Sequence, residues 1–323
     1  MMRKGFFVVL AAVLCLSGFA FAQEAKYPTK PIRMIVGYAP GGGSDIMGRL
    51  IAPSITEAMG QPIIVENRAG AAQNVAAEYI IRQPADGYTL FMSSAALGVN
   101  ISLYAKLNYD PVKDFVPIAV FAISPNLLLV HPSFPAKTIA EFLDLVKKNP
   151  GKFNYSSSGV GSTQHLSGEM LQLMLGTPIT HVPYKGTAPS LTALAGKEVD
   201  FSFSNIPAAQ PLLTSGKIKA LAITGAKRSQ LLPELPTMIE GGLPGFVTAT
   251  WYGLLAPAGT PRSVVTALNA VVAKAVQRED LRKRFAQLGA DSIAESPEYF
   301  QKFLGEEIDR WSKVVKAAKL KVE

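Results

Sequence analysis

Cysteine is nearly absent from this 323-residue chain: the only one is Cys15, inside an apolar N-terminal stretch. Disulfides, thiolate nucleophiles and cysteine-held metals are therefore excluded from the rest of the chain, whose fold must rest on its packed core. Histidine is scarce as well. His131, His165 and His181 stand far apart with no carboxylate at metal-ligand spacing, so no zinc centre is expected. Beyond the N terminus no apolar run reaches the roughly 20 residues of a membrane span.

What the N terminus does contain is Arg3 and Lys4, the apolar residues 6–16, and the small-x-small triplet Ala20-Phe21-Ala22. That pattern predicts a secretory signal peptide over residues 1–22 and a mature protein in the periplasm. The bulky Leu14 just before Cys15 argues against a lipid anchor. Removing Arg3 and Lys4 takes the formal charge from +8 to 8 − 2 = +6. The basic residues of the last third are mixed with acids at helical spacing, which predicts solvated helix faces and no nucleic-acid partner.

About 300 residues remain, enough for two modest domains. Short β-type runs alternate with helical patterns: strand 32–38, helix 44–59 with Pro53 inside it, strand 62–66, helix 72–82 and strand 88–92. This βαβαβ rhythm predicts α/β layers around a parallel sheet. The middle repeats it. Strand 127–130 is followed by a Thr138/Glu141 capping box, strand 153–156, helix 162–175, strand 179–182, helix 188–195 and strands 199–203 and 220–224. After strand 251–255 the chain reads as almost entirely helical.

Terminal helices need a sheet to cover, and the first α/β unit is the one short of a face. The chain is thus expected to cross to a second lobe near residues 121–124 and to return near 247–250. The predicted organisation is residues 1–22 as leader, 23–122 plus 248–323 as one lobe, and 123–247 as the other. Two crossings make a hinge with a cleft between the lobes, a usual place for a small ligand.

Two loops are candidates for the cleft. Tyr38-Ala39-Pro40-Gly41-Gly42-Gly43-Ser44-Asp45 joins a strand to a helix, but it lacks the lysine of a P-loop and the third glycine of a dinucleotide fingerprint. Its residues also suit a plain tight turn with Ser44 or Asp45 as N-cap. Ser156-Ser157-Ser158-Gly159-Val160-Gly161-Ser162-Thr163 repeats the arrangement in the second lobe, with hydroxyls among the amides. Two helix N-termini facing one cleft would hold an anion without a formal positive charge.

Catalytic patterns are missing: Ser162 and His165 stand close together, but no Gly-x-Ser-x-Gly elbow frames them. His165 reads as a cleft-wall or packing residue. Tyr184-Lys185-Gly186 forms a further polar cluster after a strand, equally readable as an ordinary surface loop.

Ordered along the chain, several short motifs resemble one family. They include Tyr38 to Asp45 with Arg49, Gly60-Gln61-Pro62, Val65-Glu66-Asn67-Arg68-Ala69-Gly70-Ala71 and Asp86-Gly87-Tyr88. Val182-Pro183-Tyr184-Lys185-Gly186, Trp251-Tyr252-Gly253-Leu254 and Ala256-Pro257-Ala258-Gly259-Thr260-Pro261 complete the set. Together they resemble the periplasmic substrate-binding proteins of tripartite tricarboxylate transporters, the Bug-type receptors. The resemblance implies a two-lobed, type II periplasmic-binding-protein fold that closes on a small organic carboxylate: a dicarboxylate, tricarboxylate, aromatic acid or amino acid. It implies a monomer with no enzymatic activity, cofactor or metal, which delivers its ligand to membrane transporter subunits; presentation of the ligand to a sensor kinase and an exported enzyme acting on an organic acid are the alternative readings. Carried onto this sequence, it nominates Tyr38, Pro40, Gly41, Gly42, Ser44 and Asp45, then Ala72, Gln73 and Asn74. From the second lobe it nominates Ser158, Gly161, Ser162, Thr163, His165, Tyr184, Gly186 and Asn205.

One departure from the family pattern stands out. Gly70-Ala71 is followed by Ala72-Gln73-Asn74 in place of a glycine pair, so Gln73 is expected to narrow or re-specify the pocket. Asp45 is expected to fix its loop, since a bare carboxylate in the pocket would repel the ligand.

Overall fold

The computed structural model describes residues 27–321; the expected leader lies outside them. The chain opens with β1 (Ile32–Val36), α1 (Gly43–Met59), β2 (Ile63–Asn67), α2 (Asn74–Ile80), β3 (Thr89–Ser94) and α3 (Ala96–Leu103). Strands β1, β2 and β3 are parallel, with β1 in the middle and buried along almost its whole length. Burial on both faces explains its near-continuous apolar run. Pro53 is accommodated within α1, which stays one 17-residue helix.

Next comes β4 (Phe115–Val130), the strand on which the fold turns. The expected strand 127–130 is only its last part, because Pro117 and Pro125 lie in its first two-thirds and prolines argue against a central strand. The register shifts beside Pro117 and again between Val120 and Ala122 absorb the irregularity.

The middle of the chain supplies α4 (Ile139–Lys148), β5 (Asn154–Ser157), α5 (Thr163–Leu175), β6 (Thr180–Pro183), α6 (Thr187–Ala195), β7 (Phe201–Asn205), α7 (Ile206–Thr214) and β8 (Lys219–Ile223). The end supplies β9 (Ala249–Pro257), α8 (Arg262–Gln277), α9 (Glu279–Gln287), β10 (Asp291–Ser292) and α10 (Pro297–Ala317). The expected capping box is present at α4, where Thr138 Oγ1 accepts from the Glu141 amide.

Strand order is β2-β1-β3-β9-β4-β7-β5-β6, with β8 and β10 also pairing β4. As far as Pro125, β4 runs antiparallel to β9; from Asn126 onward it pairs β7 and β8. One strand thus belongs to two sheets and changes partners between adjacent residues. Around the first sheet, α1 and α8 pack one face through Met47, Ile51, Leu268 and Val272, while α2 and α10 pack the other through Ala76, Ile80, Phe300 and Leu304. The terminal helices therefore cover the first unit, as the sequence predicts. The second unit has its own aromatic core of Phe142, Tyr155, Phe201, Phe203 and Phe246.

Some basic residues of the last third are paired on helix surfaces, as with Arg278 to Glu57 and Lys283 to Glu279. Among the described residues no helix is long and apolar enough to cross a membrane, and no cluster of three or more potential ligands could hold a metal ion.

Candidate ligand-binding cleft

The C-terminal ends of the strands and the loops that follow them bring four helix N-termini to one small cavity. Gly43 and Ser44 open α1, Thr163 and Gln164 open α5, Thr187 opens α6, and Asn205 caps α7. Tyr38, Ser94, Ser158 and Thr250 complete its lining. Among the described residues no Asp, Glu, Lys or Arg lines it. Each helix N-terminus carries about half a positive charge in unpaired N–H groups, so the backbone alone gives the cavity a positive potential. Its volume is about 10 Å³, room for the centre of roughly one water.

A second chamber of about 210 Å³ adjoins it, sharing Tyr38 and Ser158 and adding Ala72, Tyr104, Tyr184 and Lys185. Tyr38 stands between the two. Its hydroxyl accepts from Ser94 Oγ at 3.4 Å, and burial pushes its pKa up to about 12, so it remains a protonated donor.

The other nominated residues shape these walls without lining the inner cavity. In the first loop the N-cap of α1 is Gly42, with no side-chain cap, which corrects the expectation of Ser44 or Asp45 there. Pro40 and Gly41 form the turn before it, and Gly42 approaches Thr187 of the second unit. Asp45 does fix the loop: its buried carboxylate accepts from the Gly41 amide at 3.0 Å, from Arg49 Nε at 2.9 Å and from Asn67 Nδ2 at 2.9 Å. Because Arg49 is half exposed, most of the value lies in the other two bonds. Asp45→Ala is expected to cost about 2–3 kcal/mol, as loss of hydrogen bonds to a buried charged group does, read as a lower urea midpoint with an unchanged slope.

Gln73 departs from expectation. It sits at φ 69°, and that left-handed turn directs its side chain inward, where Nε2 donates to the Ser94 carbonyl and Oε1 accepts from the Ser94 amide. The amide clamps β3 and does not narrow the pocket. Asn74 is likewise committed, its Oδ1 accepting from Tyr109 and Asn100 at 2.6 Å each.

In the second loop Ser162 caps α5 by accepting from the His165 amide. Gly161, at φ 92°, lies against α3 of the first unit: a Cβ there would stand 2.4 Å from Asn100 Oδ1. Gly186 likewise approaches Ala39 of the first loop. His165 is not a cavity residue. Its Nδ1 accepts from the Gly161 amide at 3.1 Å, and its ring stacks on His181, centroids 4.2 Å apart. The sequence reading overlooked Glu169 one helical turn away, but at 3.6 Å it is beyond hydrogen-bond reach of Nε2. Burial, then the neighbouring His181, lowers the His165 pKa to about 3, so the ring is neutral and acts as a support behind the loop.

Sequence reasoning missed Gly43, Ser94, Gln164, Thr187 and Thr250 as lining residues. Ser94 had an available signal, since it ends a parallel strand, where α/β sheets place their ligands. Thr250 had none until the return strand was placed. Its hydroxyl meets that of Thr163 at 2.6 Å.

Known proteins match most of the chain. The model of the tripartite tricarboxylate transporter family receptor, TctC, matches residues 47–320. Protein BugT of Bordetella pertussis is 35% identical over 97% of this chain and 98% of its own. A solved R. palustris protein with adipate superposes with a TM-score of 0.89 at 40% identity, over 92% of this chain and 100% of that one. MatC from Rhodopseudomonas palustris with bound malate gives 0.85 at 37%, over 90% and 100%. The chain therefore belongs to the TctC family of tripartite tricarboxylate transporter receptors, solute-binding proteins of the α/β periplasmic-binding-protein fold and not enzymes.

Proposed function

We propose that this receptor is exported to the periplasm, captures a small dicarboxylate between two lobes, closes on it, and delivers it to the membrane subunits of a tripartite transporter. The observation that carries the reading is the convergence of four helix N-termini on a cavity lined only by neutral donors and acceptors. Such a site binds an anion without a bidentate arginine, so its selectivity rests on shape and on hydroxyl and amide placement. The relatives bound to adipate and malate support the dicarboxylate class.

The lobes are residues 23–122 plus 248–323 and residues 123–247, with the partner switch in β4 and the start of β9 as the moving connections. The inner cavity alone is too small for a dicarboxylate, and in this reading the lobes part to load it. The nominated carboxylate contacts are Tyr38, Ser44, Ser158, Thr163 and Asn205, with the α1 and α5 amides.

A thermal-shift panel of mono-, di- and tricarboxylates, aromatic acids and acidic amino acids tests this. A dicarboxylate at 100 times its dissociation constant is expected to add about 2.7 kcal/mol, with no ligand consumed. No shift across the panel, with a verified ligand-free sample, would sink the carboxylate reading.

A further inference from the structure

Tyr252 lies on β9, opposite Ser94 of β3, and is completely buried. Its hydroxyl has no hydrogen-bond partner among the described residues. A tyrosine buried this deeply ordinarily pairs its O–H, and leaving it unpaired disfavours the state that seals it. The hydroxyl is beside the anion site: a Cβ at Gly43, the first residue of α1, would stand 2.5 Å from it and 2.5 Å from Asn205 Oδ1. Phenol and amide thus approach the same turn from the two sheets. Asn205 Oδ1 is already used, capping α7 by accepting from the Ala208 amide.

We propose that Tyr252 is a specificity-determining residue whose hydroxyl donates to the ligand carboxylate seated on the first turn of α1. This role rests on the carboxylate reading above. Burial, then the neighbouring Tyr38, raises the Tyr252 pKa far beyond its ordinary value, so the group is always a donor and never a competing anion. Among the described residues it is a buried donor beside the first turn of α1 whose bonding potential the protein leaves unused. Closure without ligand seals it unpaired, whereas closure with a carboxylate supplies its acceptor. The same hydroxyl therefore discourages empty closure and rewards loaded closure.

Tyr252→Phe removes one oxygen and keeps the buried ring. The test compares wild type and variant by calorimetric titration with whichever acid of the panel above gives the largest shift, alongside ligand-free melting. The expected result is a dissociation constant raised at least tenfold, with a ligand-free melting temperature equal to or above wild type. An affinity within twofold of wild type overturns the proposal, as does weaker binding accompanied by a lower ligand-free melting temperature, which marks a merely structural role. A wild-type protein that binds no acid of the panel fails earlier and separately, refuting the carboxylate reading before the variant is measured.

Discussion

Gly43→Ala is expected to weaken dicarboxylate binding by about 10–100-fold while the protein still folds. Gly43 is in the first turn of α1, where alanine is locally acceptable and removes the conformational freedom of glycine. The obstacle is tertiary, with one contact from each sheet. The added methyl would meet Asn205 Oδ1 and the Tyr252 hydroxyl at 2.5 Å, closer than carbon and oxygen can approach. Overpacking of this kind costs about 1–3 kcal/mol. Asn205 comes from the second sheet unit, so its share of the cost falls on the closed state and appears as affinity, at about 1.4 kcal/mol per tenfold. Titration calorimetry beside ligand-free melting separates the two. Adding Tyr252→Phe to Gly43→Ala relieves one of the two contacts and should return part of the ligand-free stability. Wild-type affinity in Gly43→Ala would mean that Asn205 and α1 do not approach one another in the loaded protein.

The second large effect is acid destabilisation centred on His165 and His181. Burial lowers the pKa of His181 to about 4, and burial with the His181 neighbour lowers that of His165 to about 3, against about 6.5 for the unfolded chain. A depressed folded pKa contributes stability that is fully present above the unfolded value. It is lost as pH falls from about 6.5 toward 4, because the unfolded chain takes up protons that the folded chain refuses. At pH 5 the loss is about 2 kcal/mol for each ring, of order 4 for the pair. Glu169 works in the opposite sense: burial raises its pKa, so its contribution is present at low pH and fades as pH rises through the folded value. Urea midpoints at pH 7 and pH 5 measure the difference. His165→Gln with His181→Gln should shrink it by more than half; an unchanged difference would place the acid sensitivity elsewhere.

Much of this architecture is legible in the sequence where periodicity and local chemistry agree. The strands of the first unit, the capping box at Thr138 and the two glycine loops come within a residue or two of their observed places. What escapes is what tertiary context overrides. The first two-thirds of β4 are obscured by Pro117 and Pro125, and α7 by Pro207 and Pro211. Helix α3 is apolar nearly all round, so it offers no amphipathic stripe to read. In the cleft, residues that act through backbone amides were readable from glycine and serine placement. Side-chain direction was not. Gln73 turns inward because the left-handed backbone of Ala71, Ala72 and Gln73 re-aims it, and nothing in residue type announces that.

The placement of β9 also bears on how the protein is made. It lies between β3 and β4 in the first sheet, though it follows them by more than a hundred residues in the chain. The first sheet therefore cannot assemble until the chain has been delivered past Pro257, and its loop-closure cost is high. The second sheet takes its strands from residues 126–223, a contiguous stretch with shorter-range pairings. It can fold first as the chain emerges, with β4 protruding as a ready-made edge on which the first sheet is later completed.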